Sequence, residues 1–256
     1  TTPSGAQSGV KINANIDIAA NQMADFVLDF DACKSVSVVG AGQSGKYLLK
    51  PQLRLIPRYV NGVLGYVDPR FAGGLATASL QQGGAVVRTT VTDSTGRFLL
   101  QPVTPGSYTL VLTAGGGTTM VVRSVPVVTD TVTQLNSSDA ALSPAPSATA
   151  TLNGTVTTGL SPVDASVRVL QPLATGPIEV AAAPVDGVTG QYGHVVPVAA
   201  PWVATYVPLP GGLTFAADAT AAGRYTREAT ALGLVKSAGP VTVSAGQTQT
   251  TNFSFP

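Results

Sequence analysis

The chain has 256 residues, among them 28 glycines and 19 prolines, and its richness in threonine, serine, valine and alanine disfavours long helices. Charged residues make up only 11% of the chain and the formal net charge is +1, which argues against nucleic acid or an anionic membrane as a partner. The single cysteine, Cys33, excludes an internal disulfide. No apolar run approaches the roughly 18 residues of a transmembrane segment. These features predict an all-β protein.

The first segment, residues 1–58, is predicted to be a partial β-domain. Apolar and polar residues alternate with a period of two over 10–18 and again over 25–31, as in half-buried strands. The second run places Leu28 and Phe30 on the face that we expect to be buried.

Composition divides the rest of the chain into three parts. Residues 59–136 hold short strand patterns separated by glycine-rich turns, which predicts a β-sandwich of about seven strands. Residues 137–148 are rich in serine, alanine and proline and are predicted to form an extended spacer without packed structure. Residues 149–256 restart the strand pattern as a divergent second sandwich, with Leu152–Val156 in the place of Val60–Leu64.

One motif occurs twice, once in each predicted sandwich. Asp93–Phe98 and Asp186–Tyr192 each join an aspartate to a short polar turn that ends in Thr-Gly, and an aromatic residue follows two positions later. Glycine suits such a turn because it adopts a positive φ without steric cost. The repetition predicts tandem antiparallel β-sandwich modules of the transthyretin or immunoglobulin type.

Three landmarks follow one another in the second segment: Gly62–Asp68, Thr92–Phe98 and Pro105–Leu110. In this order they resemble the carboxypeptidase regulatory-like family, a transthyretin-type β-sandwich common in bacterial surface proteins. Within the landmarks, Phe98 and Tyr108 are the expected core anchors.

The third segment keeps Gly190 and Tyr192 of the repeated motif, and it resembles the same family more distantly. Pro201-Trp202 stands near the place where the Pro-Gly pair of the last landmark is expected. The stretch Ala216–Leu234 is rich in alanine, and we expect it to form one short helix or a long loop.

Three runs of residues stand out in the first segment: Ser4–Lys11, Asp29–Val36 and Gly45–Pro51. Together they resemble a bacterial family of envelope lipoproteins, the domain of unknown function 4382. It implies that residues 1–58 correspond to the carboxy-terminal part of that domain, without its amino-terminal strands. An incomplete sandwich exposes an unpaired edge and an apolar groove, so we expect self-association through the sheet edges of this segment.

Two constellations of polar residues are candidates for chemistry. Asp25, Asp29 and Asp31 share a strand face and are candidate ligands of a hard cation, although a solvated strand face is the interpretation we favour. His194 is the only histidine, and no Gly-x-Ser-x-Gly nucleophile context accompanies it. A structural histidine, no cofactor and no enzyme activity are therefore predicted.

Trp202, Tyr206 and Tyr225 are candidates for an aromatic platform on which a sugar ring could stack. The alternative is that these residues fill the core. We accordingly expect a non-catalytic structural or adhesive protein, secreted or lipid-anchored at the bacterial envelope with its leader removed, and assembled into a fibre by β-strand complementation. The second hypothesis is a carbohydrate-binding module or an accessory domain of a surface enzyme.

Overall fold

The computed structural model of the chain describes residue 12 and residues 26–31, 35–39, 46–49, 53–57 and 61–256. These residues form an all-β protein, as predicted, and its 3-10 turns are Pro69–Phe71, Ser138–Ala140 and Ala219–Ala221. Within the described ranges, no helix is long and apolar enough to cross a membrane.

The described residues of the first segment form two small antiparallel sheets. Their strands are β1 (Phe26–Phe30), β2 (Val36–Val39), β3 (Lys46–Leu49) and β4 (Leu53–Pro57), and β1 pairs with β4 while β2 pairs with β3. The alternation over 25–31 therefore does produce a strand. However, Leu28 is 54% and Phe30 is 45% exposed, so the face that was expected to be buried is open. The strand predicted over 10–18 lies outside the described residues, apart from Ile12.

The central sandwich is built from residues 62–134. Its strands are β5 (Gly62–Tyr66), β6 (Ala76–Gln82), β7 (Ala85–Val91), β8 (Arg97–Leu100), β9 (Gly106–Ala114), β10 (Met120–Val127) and β11 (Val132–Gln134). One sheet has the order β11-β5-β8, and the other contains β10-β9-β6-β7. Apolar side chains from both sheets form one core, in which Phe98 and Tyr108 are buried as predicted.

The C-terminal sandwich repeats this topology. Its strands are β12 (Thr149–Thr157), β13 (Ala165–Leu173), β14 (Gly176–Pro184), β15 (Gln191–Pro197), β18 (Arg224–Ala231), β19 (Leu234–Thr242), β20 (Thr248–Thr250) and β21 (Phe253–Ser254), with β16 (Trp202–Thr205) and β17 (Ala216–Ala217) inserted. One sheet has the order β15-β12-β20, with β21 also on β12, and the other has the order β14-β13-β18-β19. The strand order thus matches that of the central sandwich.

The register of the two sandwiches shows which residues correspond. Gly65 lies opposite Phe98, and Gly154 lies opposite Tyr192. The residue after each glycine donates its N–H to an asparagine side chain, from Tyr66 to Asn136 at 2.8 Å and from Thr155 to Asn252 at 3.0 Å. Gly154 therefore corresponds to Gly65, three positions later than the alignment of Leu152–Val156 with Val60–Leu64.

The repeated Asp…Thr-Gly motif forms the same turn in both sandwiches. The carboxylate of Asp93 accepts N–H groups of Thr95 and Arg97, and that of Asp186 accepts the Thr189 N–H at 2.7 Å. The glycines have φ +80° at Gly96 and +67° at Gly190, a region that side chains with a Cβ rarely adopt. The predicted positive-φ glycine turns are confirmed.

Tyr108 and Tyr225 also correspond. Each is the first buried residue of its strand, β9 or β18, and each follows a glycine by two positions, Gly106 or Gly223. The placement of the Pro-Gly landmark near Pro201-Trp202 is therefore wrong, and Gly223 holds the place of Gly106.

An insertion of residues 198–223 explains that misplacement. It separates β15 from β18 and contains β16, which pairs in parallel with β10, from Met120↔Trp202 to Arg123↔Thr205. The larger sheet of the central sandwich thereby becomes six-stranded, in the order β17-β16-β10-β9-β6-β7. The expectation of a helix or a long loop over Ala216–Leu234 is wrong, because this stretch holds β17, one 3-10 turn and the strand β18.

A cluster of buried apolar residues joins the two sandwiches. Its buried members come from β9, β10, β13, β14 and the insertion: Val111, Val121, Leu173, Ile178 and Ala221. Beside it, the buried side-chain amide of Gln81 donates to the Glu179 carbonyl at 2.7 Å and accepts the Glu179 N–H at 2.8 Å. The amide thus makes the two hydrogen bonds that the backbone of a neighbouring strand would make. Arg168 of β13 donates to the carbonyl of Gly84 in the β6–β7 turn. The two sandwiches therefore meet through apolar packing and specific hydrogen bonds.

Residues 137–148 also pack along the central sandwich. Leu142 is 3% exposed and belongs to its core, and its carbonyl accepts the Asp68 N–H at 2.8 Å. Further along, the Thr118 N–H donates to the Ala145 carbonyl at 2.8 Å. The stretch is extended, but it is not the unpacked spacer that its composition suggests.

Candidate functional site

The aspartates of the first segment do not form a described metal site. Asp25 lies outside the described residues. The carboxylate of Asp29 accepts a hydrogen bond from Arg88 of β7 at 2.7 Å. Within the part of the chain that the structure describes, no three His, Cys, Asp or Glu side chains come together as ligands. Asp29 thus acts as an ion-pair partner that holds β1 against the central sandwich.

The three aromatic candidates are not brought together on one surface. Tyr225 is fully buried and donates its hydroxyl to the Pro197 carbonyl, and burial raises the pKa of this hydroxyl. Tyr206 packs against the core of the central sandwich. Trp202 remains 40% exposed. The platform is therefore wrong for Tyr225, because β18 turns this side chain into the C-terminal sandwich.

Trp202 borders a groove of about 380 Å³. The groove lies where β16 extends one sheet of the central sandwich beyond the three strands of the other. Because Trp202 is in register with the core residue Met120, its side chain faces the inside of the sandwich. Leu209 and Phe215 of the insertion line the groove, together with Leu142. Among the described residues that line it, none carries a charge.

A polar cluster of Asp68, Arg70 and Ser143 adjoins the groove, and Ser143 lines it. The Ser143 hydroxyl accepts a hydrogen bond from Arg70 Nη2 at 2.9 Å and donates to Asp68 Oδ2 at 3.0 Å. Arg70 also donates to both carboxylate oxygens of Asp68, from Nε at 3.2 Å and from Nη2 at 3.1 Å. These bonds, chiefly those from the Arg70 side chain and backbone, lower the pKa of Asp68 to about 2. Sequence reasoning missed this cluster, since Ser143 lies 75 residues from Asp68.

His194 has the surroundings of a structural residue. It lies on β15, is 7% exposed, and its Nε2 lies 3.2 Å from the Val167 carbonyl oxygen. The corresponding residue of the central sandwich is Leu100, because Tyr192 corresponds to Phe98. Burial lowers the pKa of the imidazole, while the bond to Val167 raises it.

Sequence reasoning also missed Arg227, which is 1% exposed. Its Nη1 donates to the Gln249 carbonyl at 3.1 Å, and its Nε has no hydrogen-bond partner among the described residues. The period-two pattern Tyr225, Arg227, Ala229 would have shown that it faces the core, had the stretch been recognised as a strand. The C-terminal sandwich therefore buries a cation at a core position of β18.

We expect the free energy of unfolding to fall as the pH drops below about 6.5, the ordinary pKa of histidine. The unfolded state binds a proton at His194 near that pH, whereas the folded state resists it because the pKa is lowered. This part of the stability is fully present above the unfolded pKa and is lost as the pH falls toward the folded one. Urea unfolding between pH 8 and pH 5, roughly the range in which histidine titrates, measures the slope.

The matched variant for this experiment is His194→Leu, which reproduces Leu100. Because the chain has only one histidine, this variant should remove the histidine part of the slope and leave only the carboxylate part at lower pH. An unchanged slope between about pH 6.5 and pH 5 would contradict the assignment.

Comparisons with known proteins add a family match and two distant structural likenesses. The family model of a domain of unknown function, DUF4382, matches residues 1–51. The structure resembles the TIE protein of Bacillus anthracis at a TM-score of 0.26 and 10% identity, over 90% of this chain and 42% of that protein. A leucine-rich repeat protein from Bacteroides thetaiotaomicron gives a TM-score of 0.23 and 12% identity, over 77% and 26%. The chain thus spans less than half the length of either protein. No curated protein matches it.

Proposed function

We propose that the chain is a non-catalytic structural or adhesive element of a bacterial surface, in which two carboxypeptidase regulatory-like sandwiches form one rigid block. The observation that carries this proposal is the junction between the sandwiches. Covalently linked domains move relative to one another by default unless their interface is large and hydrophobic. Here β16 continues the sheet of the central sandwich, and the cluster around Val121 and Ile178 is buried between the sandwiches.

The two hydrogen bonds between the Gln81 side chain and the Glu179 backbone support the same function. A primary amide that bonds both the N–H and the carbonyl of Glu179 fixes β14 in register against β6. Because Gln81 is 1% exposed, separating the sandwiches would leave its amide and that peptide group to be solvated anew. A stalk that transmits force along its length needs such resistance to bending between its units.

Self-association through the first segment belongs to the same proposal. Its described strands form only two-stranded sheets, and isolated two-stranded sheets are marginally stable in water. Leu28, Phe30 and Tyr47 are exposed, with Tyr47 at 65%. Pairing with a strand of a second copy would cover this apolar surface.

Small-angle X-ray scattering and electron microscopy of the whole chain test these points. We expect one rigid particle at low concentration, and fibres or larger oligomers at high concentration that the variant Phe30→Lys does not form. A scattering curve that requires independently moving sandwiches would contradict the rigid block. Particles that stay monomeric at every concentration would contradict self-association but leave a monomeric stalk.

A second candidate function is carbohydrate binding. The specific observation in its favour is the exposure of Trp202 beside an uncharged groove. Carbohydrate sites combine an aromatic face with a few fixed hydrogen-bonding groups, and ligand grooves are commonly of this size or somewhat larger.

A further inference from the structure

We propose that the groove beside Trp202 binds a neutral saccharide, with one sugar ring against its apolar wall and ring hydroxyls on the adjoining Arg70 and Ser143. This inference rests on the second function proposed above and names its ligand class and its polar residues. The polar residues belong to the turn after β5 and to residues 137–148, whereas the tyrosines that the sequence suggested lie in the insertion and in β18.

The apolar wall has the composition that a sugar face requires. Trp202 is 40% exposed although β16 anchors its backbone on both sides, to β10 and to β17. Leu209, 39% exposed, and Phe215 extend the wall. The C–H groups of a pyranose ring stack on such a surface and displace water from it.

The polar end is already ordered for hydroxyl groups. The Arg70–Asp68 pair is held in a two-bond geometry, and Ser143 links the pair to the groove. The Arg70 side chain is 62% exposed, and among the described residues no partner is found for its Nη1, which carries two further donors. A vicinal diol could thus accept from Arg70 Nη1 while donating to Ser143 Oγ, which accepts one hydrogen bond from Arg70 and has a second lone pair. Little side-chain freedom would be lost on binding.

The charge distribution selects a neutral ligand. Within the described lining of the groove no side chain is charged. In the polar cluster that adjoins it at Ser143, one arginine offsets one aspartate. The low pKa of Asp68 keeps its carboxylate ionised at neutral and mildly acidic pH. A uronic acid or a sulfated sugar would therefore meet a carboxylate without an uncompensated cation.

The only tryptophan of the chain reports on the site directly. Titration of the whole chain with neutral oligosaccharides (cellohexaose, maltohexaose, xylohexaose and chitohexaose) should give a saturable change in Trp202 emission for at least one of them, and calorimetry should give the same Kd. Arg70→Ala should raise that Kd about tenfold or more, since hydrogen bonds to charged groups are lost. Ser143→Ala should raise it less. The matched control is Arg224→Ala. Arg224 is an exposed arginine of β18 on the C-terminal sandwich, so its replacement should leave the Kd unchanged.

The possible outcomes separate the inference from the function on which it rests. If none of the four oligosaccharides binds, or if oligogalacturonate binds more tightly than they do, the neutral-saccharide site is wrong. If a neutral oligosaccharide binds and only Trp202→Ala weakens it, the chain is a carbohydrate binder whose polar end lies elsewhere, and this inference fails alone. Circular dichroism of each variant shows that the fold is retained. The rigid block is tested by scattering and is not affected by either result.

Discussion

Replacing Gly154 with alanine is expected to lower the free energy of unfolding by about 3 kcal/mol or more. A Cβ at this position would overlap the carbonyl oxygen of Thr251 and press on the ring of Tyr192. The first of these neighbours is backbone, so the segment between β20 and β21 would have to move away from β12. Urea unfolding followed by circular dichroism measures the loss.

Gly193→Ala is the matched control for this substitution. Gly193 lies opposite Asn153, the neighbour of Gly154, in the same pair of strands. No atom lies within 4 Å of the Cβ that alanine would add, and its φ is not in the left-handed region. We expect a change within about 0.5 kcal/mol. Equal effects of the two substitutions would show that Thr251 does not approach β12 as closely as described.

The features that could be predicted from the sequence are those determined by neighbouring residues. In the Asp93 turn, the carboxylate bonds residues two and four positions later, and Gly96 supplies the positive φ. The period-two patterns between such turns were enough to predict about seven strands in the central sandwich. The burial of Phe98 followed from its place in a strand that begins just after a turn.

The insertion could not be predicted because its partners are distant in the chain. The Trp202 N–H donates to the Thr119 carbonyl, and β16 is held by an edge strand of the preceding sandwich. A parallel strand pair gives no turn signal, since the two strands are not joined by a hairpin. Trp202 was a candidate from the sequence, but the polar cluster beside it was missed for the same reason. Ser143 reaches Asp68 only after residues 137–148 have packed along the sandwich.

The burial of Tyr225, a candidate for the aromatic platform, was hidden by a different feature of the sequence. Tyr225, Arg227 and Ala229 all face the core of the C-terminal sandwich. An arginine in the middle of this row, together with the many alanines around it, hides the period of two. The row becomes visible only when β18 is aligned with β9, where Tyr108 and Leu110 hold the corresponding places.

Val121→Asp should separate the two sandwiches. Val121 lies on β10, is 0% exposed, and packs with Leu173 and Ile178 across the junction. A carboxylate in this apolar cluster would have no partner, and an unpaired buried charge costs about 3–5 kcal/mol. The sandwiches can avoid that cost by moving apart and admitting water. We therefore expect unfolding in two steps in place of one, with a broader distribution of interatomic distances in small-angle scattering.

Val91→Asp is the control for the same change of residue. Val91 lies in β7 of the same sheet but is 56% exposed, so its carboxylate stays in water and the free energy of unfolding should change by no more than about 0.5 kcal/mol. If Val121→Asp unfolded in one step at the wild-type urea concentration, the junction would contribute little, and the rigid block would lose its physical basis. If both variants unfolded in two steps, the sandwiches would already be independent in the native chain, and the role of β16 would be limited to covering the edge of β10.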